Sequence, residues 1–113
     1  MSHRTTRLRP PSYLRAETRR WWSSIYNAFE LESHHVKLLT AAAQALDRAE
    51  QAREAIRKRG MTYQDRFGQP RARPEVAIER DSRLAFARLV RELGLDSENP
   101  PDTRPPRLGG AAS

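Results

Sequence analysis

Six arginines within the first 20 residues are the side chains whose type and spacing most clearly suggest chemistry. Up to residue 29 they are opposed by a single carboxylate, that of Glu17, so this segment carries +5 of the chain's net charge of +7. Clustered positive charge attracts an anionic partner, and phosphate contacts position a protein on nucleic acid without reading its sequence. The sequence therefore predicts DNA-phosphate contacts for Arg4, Arg7, Arg9, Arg15, Arg19 and Arg20.

Other side chains that might do chemistry have simpler explanations. His34 and His35 are adjacent at the start of a predicted helix, where neighbours do not share a face, so we expect a solvated or capping role and no zinc site. Helical carboxylates with Lys or Arg close in sequence usually form a solvated face, and these are Glu50, Glu54, Glu75, Glu79 and Asp81. No phosphate-binding loop, HExxH or nucleophile elbow is present. We expect no enzyme, no cofactor and no metal site.

The composition indicates one small, polar domain. The chain has 113 residues, of which 37% are hydrophobic and 31% charged. If both ends are loose, about 85 residues remain to build a core, and a core of that size is marginal alone. Burial against further copies of the chain would solve this problem, so the composition suggests a homo-oligomer.

The sequence also predicts a soluble protein of the cytoplasm. It has no cysteine, which makes a reducing compartment the default. No apolar run approaches the roughly 20 residues that a membrane span needs, and the N-terminus lacks the apolar stretch of a signal peptide. We therefore expect no membrane association.

The first elements are a basic arm and an amphipathic helix. Two prolines in residues 1–11 predict a flexible arm, and Ser12 is a plausible N-cap for a helix over residues 13–30. Trp21 and Trp22 would point about 100° apart on that helix. One of them can enter the core easily, and the other must lie at its edge or against a neighbour.

Two further helices are predicted to pack the domain together. A helix over 34–59, capped by Ser33, carries apolar residues at a near-heptad spacing, and one over 75–93 ends at Gly94. Whether the long helix packs on the third helix or on another subunit stays open. We predict oligomer contacts from both helices, at Leu39, Ala42, Leu46, Ala49, Ile56, Phe86 and Val90.

Residues 60–74 separate these two helices and read as a small β-hairpin. Residues 65–68, "DRFG", suit a turn that needs a positive φ at Gly68, and the prolines limit any second strand to a short edge piece. Arg71 and Arg73 are weaker DNA-binding candidates on this insert. The fold class is therefore mainly α, with a helical domain over 12–96 and a disordered tail over 97–113, which is rich in Pro and Gly.

The order of these elements resembles the small subunit of tailed-phage terminases. The resemblance covers roughly residues 9–96 and is carried by "RPPSYL", "ETRRWWSSIYNAF", "AIRKRG", "MTYQDRFGQPRARPEV" and "RLAFARLVRELGLD". It implies a non-catalytic partner of the packaging motor in the host cytoplasm. Such subunits assemble into rings, bind double-stranded viral DNA, and regulate the ATPase and nuclease of the terminase large subunit.

Two alternatives from other functional classes stay open. The first two helices are compatible with a small dimeric regulator of helix-turn-helix type, although a recognition helix is normally short and the second helix here is long. A structural adaptor that does not touch DNA would instead use its arginines for solubility or for an acidic protein partner.

Overall fold

The computed structural model describes residues 7–95, which form three helices and one hairpin. In chain order these are α1 (Ala16–Ala28), α2 (Ser33–Arg59), β1 (Thr62–Gln64), β2 (Pro70–Ala72) and α3 (Pro74–Leu93). The prediction of a mainly α fold with a small hairpin is confirmed. Of the predicted arm, residues 7–11 are described; residues 1–6 and the predicted tail over 97–113 lie outside the described residues.

Helices α2 and α3 form a long antiparallel pair. Ion pairs join Arg53 to Glu79 at 3.1 Å and Arg59 to Glu75 at 3.9 Å, which fixes the direction of α3 along α2. The contact is close because the buried face of α2 is built of small side chains, which let two helix backbones approach; these are Ala42, Ala45, Ala49 and Ala52, each at most 4% exposed. With 27 residues, α2 is about 40 Å long.

Helix α1 packs on the first half of this pair and completes the core. Trp22 is 2% exposed and Tyr26 is 4% exposed, with their rings stacked 5.1 Å apart. The cluster around them contains Leu14, Leu31, Leu39, Ala43 and Leu93. Trp21 is half-buried and meets the ring of Phe86 on α3, at 5.4 Å between centroids. The prediction that one tryptophan enters the core and the other lies at its edge is confirmed.

Helix α1 begins at Ala16, later than the predicted residue 13, and Ser12 is not its cap. The N-cap position is Arg15, which makes no side-chain capping bond. The acceptor comes instead from α2, where the carboxylate of Asp47 accepts the N–H of Arg15 at 2.9 Å and the hydroxyl of Thr18. The prediction of a local serine cap was wrong because a tertiary contact supplies it.

Helix α2 begins one residue before the predicted start, and its cap also differs from the prediction. The N-cap is Glu32 rather than Ser33, and it forms a reciprocal capping box with His35. The N–H of Glu32 donates to Nδ1 of His35 at 3.2 Å. A capping box satisfies two of the donors that a helix start leaves open, so the capping role predicted for this histidine pair is confirmed at His35.

The hairpin and the end of α3 follow the predicted turn chemistry. Strands β1 and β2 pair antiparallel with Tyr63 opposite Arg71. The turn uses Gly68 at φ 77° and α3 stops at Gly94 at φ 80°, a left-handed region that costs glycine little. Beyond that stop the N–H of Leu95 returns to the carbonyl of Val90 at 3.2 Å, and Leu95 packs against the core.

Candidate nucleic-acid interface

Four of the predicted arginines meet in one groove. Residues 7–10 run alongside α1, and two adjoining concavities lie between this segment and the helix. Arg7 and Arg9 line them from the segment, while Arg19 and Arg20 line them from the helix. We call this surface the arginine groove. The remaining lining is neutral, and consists of Leu8, Pro10, Ala16, Ser23, Ser24, Tyr26 and Asn27.

The segment that forms one wall of the groove is fastened to the core. The N–H of Leu8 donates to the hydroxyl of Tyr26 at 3.3 Å, and the guanidinium of Arg7 lies over the Tyr26 ring, 5.4 Å from its centroid. Because Tyr26 is itself stacked on Trp22, the position of this wall depends on the buried aromatic pair.

The four arginines do not contribute in the same way. Arg9 and Arg20 are exposed, and Arg19 is half-buried. One terminal nitrogen of Arg19 donates to the carbonyls of Ser12, at 3.4 Å, and of Leu14. Arg19 therefore holds the turn before α1 in place, and its remaining donors stay beside the groove.

The electrostatics of the groove favour an anion. Within residues 7–95, no carboxylate pairs with any of its four arginines, although seven arginine–carboxylate ion pairs form elsewhere in that range. Glu17 lies on the same helix but does not line the groove. Unpaired guanidinium groups beside hydroxyl and amide side chains are suited to phosphate oxygens.

The other predicted DNA-binding residues lie elsewhere. The side chain of Arg15 does not line the groove, and Arg4 lies outside the described residues. Arg71 and Arg73 are on the hairpin, beyond the far end of α2: Gly60 follows Asp47, which holds α1, by 13 residues, or about 20 Å of helix. The structure thus places four of the eight predicted arginines in the groove and two at the hairpin.

A single carboxylate organises the hairpin turn. One oxygen of Asp65 accepts the backbone N–H groups of Phe67 at 2.8 Å and Gln69 at 2.9 Å, and the other accepts Nε of Arg71 at 3.0 Å. The bond from Gln69, followed by the one from Arg71, holds the pKa of Asp65 below its ordinary value. Arg71 is therefore already partnered, whereas Arg73 lies over the Tyr63 ring at 5.9 Å.

Sequence reasoning missed several residues at both surfaces. Ser23 and Asn27 line the groove one helical turn apart, and only the path of residues 7–10 identifies that face. Arg66 of the turn and Lys58 before the hairpin lie on opposite sides of the helix end at Gly60, and only the folded chain shows that they belong to one region. The sequence did contain one indication of the role of Asp47, because a carboxylate on the apolar face of an alanine-rich helix needs a partner.

The predicted oligomer positions divide by burial. Leu39, Ala42 and Ala49 are at most 3% exposed, covered by the chain's own core, so they add no contact area while this packing is kept. The half-buried positions are Leu46, Ile56, Phe86 and Val90. These four side chains are accessible to another copy of the chain, so the prediction of oligomer contacts now rests on them.

The described part of the chain has neither a cluster of metal ligands nor a membrane-spanning helix. Residues 7–95 contain no group of three or more His, Cys, Asp or Glu side chains arranged to hold a metal ion. None of the helices in this range combines the length and the apolar character needed to cross a membrane.

A comparison with protein families identifies the chain. The family model described as phage terminase, small subunit, matches residues 19–100, which is most of the chain. The chain belongs to this terminase small subunit family. The resemblance seen in the sequence is thereby confirmed, and the protein is a phage packaging subunit. No curated protein and no solved structure gave a significant match.

The terminase small subunit match covers part of the arginine groove and all of the hairpin. It begins at Arg19 on the helical wall of the arginine groove and includes the whole hairpin. The other wall, residues 7–10, precedes the matched range. The groove of this terminase small subunit therefore combines a family element with a segment outside the match.

Proposed function

We propose that this terminase small subunit is the non-catalytic DNA-recognition and regulatory component of a packaging motor. It binds double-stranded viral DNA through the arginine groove, assembles as a homo-oligomer closed into a ring, and modulates the ATPase and nuclease of the large subunit. The observation that carries the DNA-binding part is the convergence of Arg7, Arg9, Arg19 and Arg20 on one groove without a carboxylate partner in residues 7–95.

The groove supports backbone contact more strongly than base reading. Arginine, serine and asparagine all bond phosphate and sugar oxygens, and such contacts fix the position of a protein on the duplex. Base reading is also open to these side chains, since arginine can pair bidentately with guanine and Asn27 with adenine. We expect phosphate contacts to dominate, and repetition around an assembly raises affinity through effective concentration.

The test is duplex binding at several salt concentrations. Arg9 and Arg20 are the best pair to change because both are exposed and neither side chain makes a hydrogen bond or ion pair within residues 7–95. An Arg9→Gln/Arg20→Gln variant should bind at least about tenfold more weakly at low salt, and its log–log salt slope should fall by up to about 1.8, since each phosphate contact contributes about 0.9.

A matched control removes the same charge from α3. Arg88 and Arg91 are exposed there and do not line the groove, so Arg88→Gln/Arg91→Gln should keep most of the affinity and slope. Equal losses in the two variants would mean that only net charge matters. An unchanged Arg9→Gln/Arg20→Gln variant would exclude the groove as the DNA site.

The assembly is tested by the solution mass. Light scattering at low and high salt should give the same multi-subunit mass, because contacts through half-buried apolar residues such as Leu46 and Phe86 are not screened by salt. A monomer or dimer under both conditions would contradict an intrinsic ring, and would return the dimeric regulator to consideration.

A further inference from the structure

The hairpin projects from the end of the helix pair with its apolar side chains uncovered. Phe67 in the turn is 73% exposed, Met61 before β1 is 61% exposed and Tyr63 within β1 is 42% exposed. Every residue of both strands is exposed, so neither face of the ribbon rests on a helix. Exposed large apolar side chains grouped in this way mark an interaction surface.

The turn that carries Phe67 is preorganised. The N–H of Phe67 donates to the side-chain carboxylate of Asp65, and the N–H of Gly68 donates to the backbone carbonyl of Asp65 at 2.9 Å. The hairpin is closed at its base by the N–H of Arg73, which donates to the carbonyl of Met61 at 2.8 Å. These bonds fix the backbone that carries the exposed ring, and a segment that is ordered before binding loses less entropy on binding.

Positive charge is concentrated in the hairpin and in the last turn of α2. Residues 57–73 contain six cationic side chains and one carboxylate: Arg57, Lys58, Arg59, Arg66, Arg71 and Arg73 against Asp65. The guanidinium of Arg66 lies 5.2 Å from the centroid of the Phe67 ring. Three of the arginines are neutralised by ion pairs, with Glu54, Glu75 and Asp65. Within residues 7–95, Lys58, Arg66 and Arg73 have no carboxylate partner.

We propose that the hairpin is a second DNA contact, in which Phe67 enters a base step of the duplex as a wedge and bends it. This rests on the proposed function of the chain as a DNA-binding subunit. Apolar side chains inserted from the minor groove partly unstack a step and kink DNA by about 20–90°. Lys58, Arg66 and Arg73 would contact the phosphates on either side of the kink.

Charge and shape together favour the duplex as the occupant. A protein partner would need an apolar pocket rimmed by carboxylates, whereas a DNA duplex offers apolar base faces directly beside its phosphates. The ribbon is a single layer of two strands whose residues are all exposed, so no second layer stands between its turn and a groove of the duplex.

The experiment measures bending through ligase-catalysed circularisation of a mixed-sequence duplex of about 120 bp, shorter than the persistence length of about 150 bp. Wild type should raise the circularisation rate at least about tenfold. Phe67→Ala should remove most of that increase and weaken duplex binding only about three- to tenfold, because the stacking that the ring gains is largely offset by the cost of unstacking the base step. The change is at an exposed side chain, so folding should be unaffected.

Leu84→Ala is the matched control, because Leu84 is 51% exposed on α3 and lies outside the hairpin. It should circularise DNA as wild type does, and both variants should keep the wild-type solution mass. Equal bending by Phe67→Ala and wild type would overturn the wedge while leaving DNA binding intact. A fall in assembled mass in Phe67→Ala alone would overturn it in favour of a contact between copies. Absence of duplex binding by wild type would overturn both proposals.

Discussion

Large apolar side chains are buried around the first half of α2 and exposed beyond its other end. At its first half three helices meet, and Trp22 and Tyr26 are at most 4% exposed. At its other end only α3 and a free-standing ribbon are present, and Phe67 and Met61 are 73% and 61% exposed. An amphipathic element buries its apolar side only where another layer covers it. Hydrophobicity alone therefore does not separate core from contact surface in this chain.

One carboxylate makes several hydrogen bonds in each of these two regions, but the two carboxylates connect different parts of the chain. Asp47 is 9% exposed and completes the start of α1 from a neighbouring helix, so it links two elements of the core. Asp65 accepts bonds from its own turn and from Arg71, so it orders one loop and nothing beyond it. Loss of the first should be felt by the whole domain, and loss of the second only locally.

The sharpest test of this comparison replaces one aromatic side chain at each end. Trp22→Ala should destabilise the fold by about 3–5 kcal/mol, the usual cost of truncating a large buried aromatic residue, and its Nε1 bond to Thr40 at 3.1 Å is lost as well. Phe67→Ala should stay within about 0.5 kcal/mol, as exposed substitutions do. Urea unfolding measures both. Similar losses at the two positions would contradict the division into a core end and a contact end.

The next largest effect is expected at the tertiary cap. Asp47→Ala leaves the N–H of Arg15 and the hydroxyl of Thr18 without their acceptor and should cost about 2–3 kcal/mol. Thr18→Val removes one donor from the pair. The double variant should cost less than the sum of the single ones, because directly bonded residues couple. Additive losses in thermal unfolding would show that the two side chains act independently.

The smallest effect is confined to the hairpin and depends on pH. Since accepted hydrogen bonds lower the pKa of Asp65, its contribution is fully present above the unfolded value, near pH 4, and is lost as pH falls through the lower folded value. The protection factors of the Phe67 and Gln69 amides, which correct for the intrinsic exchange rate at each pH, should therefore fall as the pH drops through that lower value, before the helices open. Asp65→Ala should show fast exchange already at neutral pH. Equal protection in that variant would mean that the strands alone order the turn.

Much of this architecture could be predicted because it is encoded locally. The spacing around Trp21 and Trp22 indicated which region of α1 faces the core, and Gly60, Gly68 and Gly94 marked where helices and the turn change direction. Each of these signals depends on residues within one or two turns of the chain. The helices and the hairpin followed from them, and so did the family resemblance.

The features that could not be predicted depend on contacts between distant residues. The cap of α1 comes from Asp47, 32 residues after Arg15, so a local search selected Ser12 instead. The arginine groove exists because Leu8 is bonded to Tyr26, 18 residues away, which turns a predicted flexible arm into a wall. Pairing of Arg71 with Asp65 also distinguishes it from Arg66 in a way that a charge count does not.

The length of the hairpin can be changed without moving the helices, because a hydrogen bond closes the hairpin at its base. Since the bond from Arg73 to Met61 joins the two strands where they leave the helices, residues can be added in pairs above it without changing the separation of α2 and α3. Each strand residue advances the tip by about 3.4 Å, and two per strand restore the same facing of the side chains. The reach of Phe67 can thus be lengthened in steps of about 7 Å, which makes this subunit a scaffold for graded insertion or deletion.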